Sequence, residues 1–172
     1  MTLSDMELGA VRRRGAVYDL LFERRFAKPI ERVWAALTVP ERIADWFLDA
    51  DVDLRTGGRM VLSAPGYASS EHTIVELDPP RVLAWTWPHA EHPDSVVRFE
   101  LEPDGKGCRL RLTQTNLPAP RLISIATGWH VHMEGLPAAA DSIRHPFSRR
   151  REREMSAVYR ARLPAWGVPA AG

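Results

Sequence analysis

Two runs near the middle of the chain alternate apolar and charged side chains and are joined by a tight turn. The run 95–102 places Val97, Phe99 and Leu101 on one side, with charged residues between them, and the run 108–115 repeats the alternation. A period of two is typical of a half-buried β-strand, so the runs predict a hairpin with one apolar and one charged face. Another part of the chain has to cover the apolar face, and this requirement restricts the possible folds more than any other feature.

The remaining strand patterns predict an antiparallel meander. Strand-like segments separated by short turns occur at residues 8–13, 16–27, 51–54, 59–64, 73–77 and 81–87. Short connections of this kind join antiparallel neighbours. Two short helices are predicted over 30–37 and 41–47, because apolar residues share one face in each and a proline precedes each segment.

The stretch TGWHVHMEGL (127–136) decides what covers the sheet. At ~100° per residue, five apolar side chains fall within ~40° of Trp129; they are Leu122, Ile125, Met133, Leu136 and Ala140. A strand would leave this pattern unexplained, so the sequence predicts a helix over 121–136 that lies on the apolar face. Pro137 and the nearby Gly135 predict that this helix kinks or ends early.

The helix prediction also determines what the histidines can do. Positions two apart lie ~200° apart on a helix, so His130 and His132 are not expected to bind one metal ion. We expect His130 to form a surface ion pair with Glu134 four residues later. His132 lies at the border of the apolar stripe and is predicted as a core-edge histidine in preference to a functional pocket group. The other histidines considered, His72, His89 and His92, are expected in or near loops.

Composition excludes several classes of function. The 23 basic and 22 acidic residues give a net charge of +1, so no nucleic-acid partner is expected. The one cysteine, Cys108, is interpreted as a small buried hydrophobe. The sequence lacks a signal peptide and any run of roughly 20 apolar residues, which favours a soluble, cytoplasmic protein without a membrane partner. No phosphate loop or metal motif is found, so no cofactor is expected, and the aspartates at 49, 51 and 53 give only a weak cation pattern.

The order of these elements resembles a known superfamily. The matching motifs are Pro29-Ile30-Glu31-x-Val33-Trp34, Pro40-Glu41-x-Ile43-x-x-Trp46-Phe47, Gly57-Gly58, Glu76-Leu77-Asp78-Pro79-Pro80-Arg81, Trp85-Thr86-Trp87 and Gly128-Trp129-His130. Together they resemble the START-like, helix-grip superfamily, in the branch named for the C-terminal domain of the activator of heat-shock protein 90 ATPase. The resemblance covers about residues 10–143.

That resemblance implies an α+β helix-grip fold, in which a curved antiparallel sheet wraps around a long C-terminal helix and two short helices follow the first long strand. The implied division is a loose N-terminus at 1–7, a START-like domain at 8–145 and a C-terminal extension at 146–172. The extension predicts a short helix whose apolar side holds Met155, Val158, Tyr159 and Leu163. Members of the superfamily bind hydrophobic small molecules, act as cyclases or related enzymes, or serve as chaperone partners.

The favoured hypothesis is non-catalytic binding of an apolar or aromatic small molecule between the sheet and the C-terminal helix. The predicted ligand-binding residues are Trp85, Trp87, Phe99, Gln114, Trp129, His132, Met133 and Leu136, with His132 and Gln114 orienting a polar end. One alternative is a cyclase- or hydrolase-like enzyme that uses His132 as general acid or base. The other is a chaperone-activator-like interaction module, for which the helix at 152–163 would supply an exposed apolar patch or a homodimer contact.

Overall fold

The computed structural model describes residues 8–88 and 94–168. Its strands are β1 (Ala10–Arg14), β2 (Val17–Phe26), β3 (Asp49–Val52), β4 (Arg59–Ser63), β5 (Ser70–Asp78), β6 (Val82–Thr86), β7 (Val96–Asp104) and β8 (Gly107–Pro118). Its α-helices are α1 (Ile30–Thr38), α2 (Pro40–Trp46), α3 (Leu122–Met133), α4 (Leu136–Ala140) and α5 (Arg149–Arg162). The segment 1–7, predicted to be loose, lies outside the described residues, as do His89 and His92.

The strands form one antiparallel sheet in the order β1-β2-β8-β7-β6-β5-β4-β3. In the β7–β8 hairpin, Phe99 faces Leu112 and Glu100 faces Arg111. The apolar members of these pairs are buried, whereas the outer face carries ion pairs such as Arg98 to Glu76 at 2.8 Å. The predicted antiparallel meander with one apolar face is therefore confirmed.

Helix α3 covers the apolar face, as the stripe around Trp129 predicts. It is nevertheless shorter than the predicted helix, because it ends at Met133, and α4 begins at Leu136 with Pro137 in its first turn. The predicted interruption beside Pro137 is confirmed. Proline is tolerated there because the N–H groups of a first helical turn have no partner within the helix.

The two short helices α1 and α2 follow β2 and close one end of the sheet. The indole of Trp46 at the end of α2 donates to the carbonyl oxygen of Ala36 in α1 at 2.8 Å, which fixes the angle between the two helices. Trp46 is also edge-on to Phe99 of the sheet, with ring centroids 6.4 Å apart. As a result, the residue that follows α2, Phe47, is held above the sheet next to α3.

Helix α5 packs against α3 in the same chain. Met155 and Tyr159 on its apolar side are fully buried. Ser148 caps the helix by accepting a hydrogen bond from the backbone N–H of Arg151 at 3.2 Å. Met155 and Tyr159 are therefore covered by the chain itself, whereas Val158 and Leu163 of the same predicted apolar side are only partly buried.

Within the described residues, none of the helices combines the length and the apolar character required to cross a membrane.

Candidate functional site

Two cavities adjoin α3. The first, here called the inner cleft, lies between the sheet and α3 and has a volume of about 240 Å³. It is lined by Phe47, Leu48, Trp87, Gln114, Ser124, Ile125, Gly128, Trp129 and His132. Because aromatic and aliphatic side chains predominate and only a few polar groups converge on it, the inner cleft has the character of a site for a small apolar molecule.

The second cavity, here called the outer cavity, is larger, at about 440 Å³. It is lined by Ala44, Trp46, Phe47, Leu48, Leu62, Ser63, Ala64, Tyr67, Ala68, Ser70, His132 and the residues 144–147 and 149. Phe47, Leu48 and His132 line both cavities and so form a wall that the cavities share.

Ring contacts hold this shared wall in place. The ring of Phe47 stacks on Trp129 with centroids 5.0 Å apart, and on Trp46 at 5.3 Å. The imidazole of His132 meets the Phe47 ring edge-on at 4.8 Å, and Phe147 packs against His132 in a tilted arrangement at 4.6 Å. Offset and edge-to-face contacts of this kind each add to the stabilisation that burial provides.

His132 presents one ring nitrogen as a hydrogen-bond acceptor. Its Nδ1 lies 3.0 Å from the carbonyl oxygen of Trp46, and a carbonyl only accepts, so Nδ1 carries the proton and Nε2 does not. Within the described part of the chain, no hydrogen-bond partner of Nε2 is found. Burial lowers the pKa of His132, an effect that the bond to Trp46 opposes, so the ring is neutral near pH 7.

Gln114 is engaged by protein partners. Its Oε1 accepts a hydrogen bond from the indole N–H of Trp129 at 2.7 Å, and its Nε2 donates to the hydroxyl of Ser95 at 3.3 Å. All three side chains are buried. Gln114 therefore fixes the orientation of the Trp129 indole at the wall of the inner cleft.

The predicted ligand-binding residues divide into two groups. Trp87, Gln114, Trp129 and His132 line the inner cleft, and His132 reaches the outer cavity as well. The other four line neither cavity and are buried in the core at 0–2% exposure; they are Trp85, Phe99, Met133 and Leu136. They lie on the same faces of strand and helix as the lining residues, so periodicity alone does not separate the two groups.

The sequence reasoning missed Phe47, Leu48 and the segment 144–149. Phe47 is the last residue of the predicted helix 41–47 and lies on its apolar face, and residues of an apolar face are more often core than cavity wall. The segment 144–149 carries no periodic pattern. Only its position in the folded chain brings it to the outer cavity.

Two expectations about histidines need correction. His130 is not at the surface: it is 2% exposed, and its Nδ1 lies 3.0 Å from the Tyr159 hydroxyl. Its Nε2 lies 3.3 Å from Glu134, so the predicted partner is right, although only the histidine is buried and Glu134 stays partly exposed. His72 is in strand β5 rather than a loop, buried between Ser70 and the carbonyl oxygen of Thr86, each at 2.8 Å.

The aspartates near the Gly57-Gly58 turn are directed at arginines. Asp53 pairs with Arg55 at 2.8 Å, and Asp51 lies 3.9 Å from Arg59. Across residues 8–88 and 94–168, no three His, Cys, Asp or Glu side chains lie close enough together to hold a metal ion.

A curved antiparallel sheet with a covering helix, two short helices after β2 and a cleft between sheet and helix define the helix-grip fold of the START-like superfamily. Within that superfamily the chain belongs to the family described as Activator of Hsp90 ATPase homolog 1-like protein, whose sequence model matches residues 27–141. The resemblance found in the sequence motifs is thereby confirmed.

Solved structures agree with this assignment. The crystal structure of CalU16 from Micromonospora echinospora is 29% identical, with 89% of this chain and 94% of that chain covered at a TM-score of 0.71. The solution structure of the protein encoded by BPP1335 from Bordetella parapertussis is 31% identical, with 93% of each chain covered and a TM-score of 0.68. The Aha1 dimer from Colwellia psychrerythraea, at 18% identity and a TM-score of 0.64, shares the fold. No curated protein matches the chain.

Proposed function

We propose that this protein binds a small apolar or aromatic molecule in the inner cleft and does not transform it. The observation that carries the proposal is the composition of the cleft wall. Trp87 and Trp129 flank a cavity of about 240 Å³ that also exposes the carbon atoms of Ile125. Pockets for drug-sized ligands measure roughly 300–1,000 Å³, so the smaller inner cleft is suited to a compound of one or two rings.

The polar groups of the cleft are placed so that they would bind a ligand in one orientation. His132 is held by Trp46 with its Nε2 free to accept, so it favours a ligand that carries a hydroxyl or N–H donor. Gln114 keeps the Trp129 indole in position and thereby preserves the shape of the cleft in the absence of a ligand. A wall that is already ordered reduces the entropy that binding has to overcome.

Among the described residues, the cleft offers less support for acid–base catalysis than for binding. His132 is the one titratable side chain among its described lining residues, and no aspartate or glutamate accompanies it. General acid–base chemistry normally relies on a second positioned group that orients the base or takes the opposite role. We therefore rank binding above the cyclase-like or hydrolase-like alternative.

Gly128 allows a sharp test. It lies in α3 and lines the cleft, and a Cβ atom added there would meet no atom within 4 Å. Gly128→Leu should fill the cleft without displacing the chain. Replacing a glycine in a helix interior by leucine also favours the helix by up to about 1 kcal/mol, so the variant should be at least as stable as the wild type. Gly128→Ala, which adds one methyl group, is the matched control.

The measurement is isothermal titration with 2-naphthalenemethanol, a neutral two-ring compound with a hydroxyl donor. We expect binding by the wild type and by Gly128→Ala, and a loss of about tenfold or more in affinity for Gly128→Leu, equivalent to ~1.4 kcal/mol. Equal affinity for all three proteins would refute binding in the inner cleft. Absence of binding to any of them, together with a clean apo mass in native mass spectrometry, would favour the protein-interaction hypothesis.

A further inference from the structure

The outer cavity has a wall that the family model does not include. That model matches residues 27–141, whereas the side chains of Arg144, Phe147 and Arg149 belong to the segment that follows. The opposite wall comes from β4 and from the loop that joins β4 to β5, which contains Tyr67. The outer cavity therefore lies between the matched domain and the C-terminal segment of this chain.

The two ends of the outer cavity differ chemically. Trp46, Phe47 and Leu62 give it an apolar interior. Arg144 and Arg149 lie at the edge contributed by the C-terminal segment, and no aspartate or glutamate occurs among the described lining residues. An apolar interior with cationic groups on one side is complementary to a molecule that has a ring system and an anionic end.

Arg149 is oriented by its neighbours. Its guanidinium donates to the hydroxyl of Tyr67 at 2.9 Å and to Glu152 at 2.9 Å, and it lies 5.5 Å from the centre of the Phe147 ring. These contacts connect the β4–β5 loop to the start of α5 at the edge of the cavity. They also place the guanidinium beside the ring system against which a ligand would pack.

Arg144 differs from Arg149 in having no carboxylate within ion-pair distance among the described residues. Its side chain is exposed, and the backbone beside it is fixed because the N–H of His145 donates to the carbonyl oxygen of Asp45 at 2.7 Å. A cation on an ordered backbone, next to an apolar cavity and without an acidic partner, is available for an anionic ligand.

We propose that the outer cavity is a second binding site, which takes a small aromatic carboxylate. The ring system packs against Phe47 and Phe147, and the carboxylate accepts hydrogen bonds from Arg144 and Arg149. The site is separate from the inner cleft, and its ligand class differs in carrying a negative charge.

The test compares 2-naphthoate with the neutral 2-naphthamide by isothermal titration at pH 7. The variant is the double substitution Arg144→Gln/Arg149→Gln, and the control is Arg150→Gln/Arg153→Gln. The control removes the same charge from exposed positions of α5 that line neither cavity. Both pairs of substitutions lie on the surface, so folding should be preserved, as a thermal melt will show.

We expect the wild type and the control to bind 2-naphthoate, and the Arg144/Arg149 variant to bind it about tenfold or more weakly. The affinity for 2-naphthamide should change less than about threefold, since the lost contacts are to the charged end. Gly128→Leu, which fills the inner cleft, should leave the affinity for 2-naphthoate unchanged. Equal binding of 2-naphthoate by the two double variants, loss of its binding in Gly128→Leu, or no binding by the wild type at millimolar concentration would each overturn the proposal.

Discussion

His130 and His132 are two residues apart in sequence but serve different neighbours. His132 faces Trp46 and both cavities. His130 instead contacts Tyr159 of α5 through Nδ1 and Glu134, just after α3, through Nε2. The Tyr159 hydroxyl accepts from the backbone N–H of Gly9 at 3.1 Å, and so it can donate to Nδ1 of a neutral His130. This arrangement suits the uncharged ring, and a protonated ring would leave the Tyr159 hydroxyl hydrogen without its acceptor.

Protonation of His130 should therefore destabilise the protein. Burial, with the nearby charge of Arg24, lowers the pKa of His130 from 6.5 to about 4. Between those two values the unfolded chain binds more protons than the folded chain, so stability falls as the pH decreases from about 6.5 towards 4. From pH 7 to pH 5 we expect His130 to contribute a loss of roughly 2 kcal/mol in the free energy of unfolding.

The measurement is urea unfolding at pH 7 and pH 5 for the wild type and for His130→Gln, which keeps a polar group but does not titrate. Burial also lowers the pKa of His72 and His132, and both histidines remain in the variant, so the difference in pH dependence reports His130 alone. If His130→Gln loses as much stability as the wild type over this interval, His130 is protonated as easily in the fold as in the unfolded chain.

Single residues also show where prediction from sequence ends. The strand pattern places Gln114 on the inner face, and the helix stripe places Trp129 above it. Both placements are observed, and the two side chains form a hydrogen bond at 2.7 Å. That bond depends on where along β8 the helix α3 crosses, which neither the strand period of two nor the helix period of about 3.6 residues determines. The same limitation explains why Trp87 lines the inner cleft while Trp85, two residues earlier, packs on Phe99 at 5.2 Å in the core.

Among the elements, the break between α3 and α4 was predictable because Pro137 carries the signal itself. The packing that this break permits could not be predicted from the sequence. A Cβ atom on Gly135 would lie 3.0 Å from Cβ of His145, so this glycine lets the segment 144–149 approach the end of α3. That approach forms one wall of the outer cavity. The local sequence identifies the break between α3 and α4. The segment that packs against the break, 144–149, follows only after α4 and a loop, so the local sequence does not reveal that contact.

Because of that packing, Pro137→Ala should not straighten the chain. A proline at a compatible first-turn position stabilises by about 0.4–1 kcal/mol through the unfolded state, so we expect a loss of that size in the free energy of unfolding. Urea unfolding gives the loss, and backbone chemical shifts of residues 133–138 show whether the break persists. A continuous helix through these residues in Pro137→Ala would mean that the proline, rather than the contact of Gly135 with His145, maintains the break.

Helix α5 illustrates a second limit at the same scale. Its apolar side was identifiable from sequence, but an apolar side does not state what covers it. In the structure Tyr159 contacts Phe22 of β2 edge-on at 6.5 Å as well as His130 of α3. Burial raises the pKa of Tyr159 to about 12, so the hydroxyl remains protonated and available as a donor. His130 lies 29 positions before Tyr159 and Phe22 much further, so local patterns do not reveal these contacts.

For the whole molecule, the sheet, the covering helix and one cleft between them follow from periodicity and from the family resemblance. The second cavity does not. It requires the β4–β5 loop, the residue after α2 and the C-terminal segment to meet, and these parts are irregular in sequence. The shared wall of Phe47, Leu48 and His132 is consequently the feature that only the structure reveals.

That wall leads to a prediction about the size of ligand the protein accepts. Phe47 lies between cavities of about 240 and 440 Å³, so Phe47→Ala should join them into one chamber. Phe47 is half-buried, so the free energy of unfolding should fall by less than the ~3–5 kcal/mol typical of a fully buried phenylalanine. Phe147→Ala, which enlarges the outer cavity without opening the wall, is the control.

Pyrene distinguishes the two variants because its four fused rings exceed the compounds that the inner cleft suits, and the relative intensities of its emission bands report an apolar environment. We expect Phe47→Ala to bind pyrene about tenfold more tightly than the wild type or Phe147→Ala, because only Phe47→Ala offers it the joined volume of both cavities. Binding of 2-naphthalenemethanol should weaken in Phe47→Ala, because the ring stacked on Trp129 at 5.0 Å no longer bounds the inner cleft. Equal pyrene emission in the two variants would show that Phe47 does not separate the cavities. Removing the Phe47 ring would then create no more space for pyrene than removing the Phe147 ring.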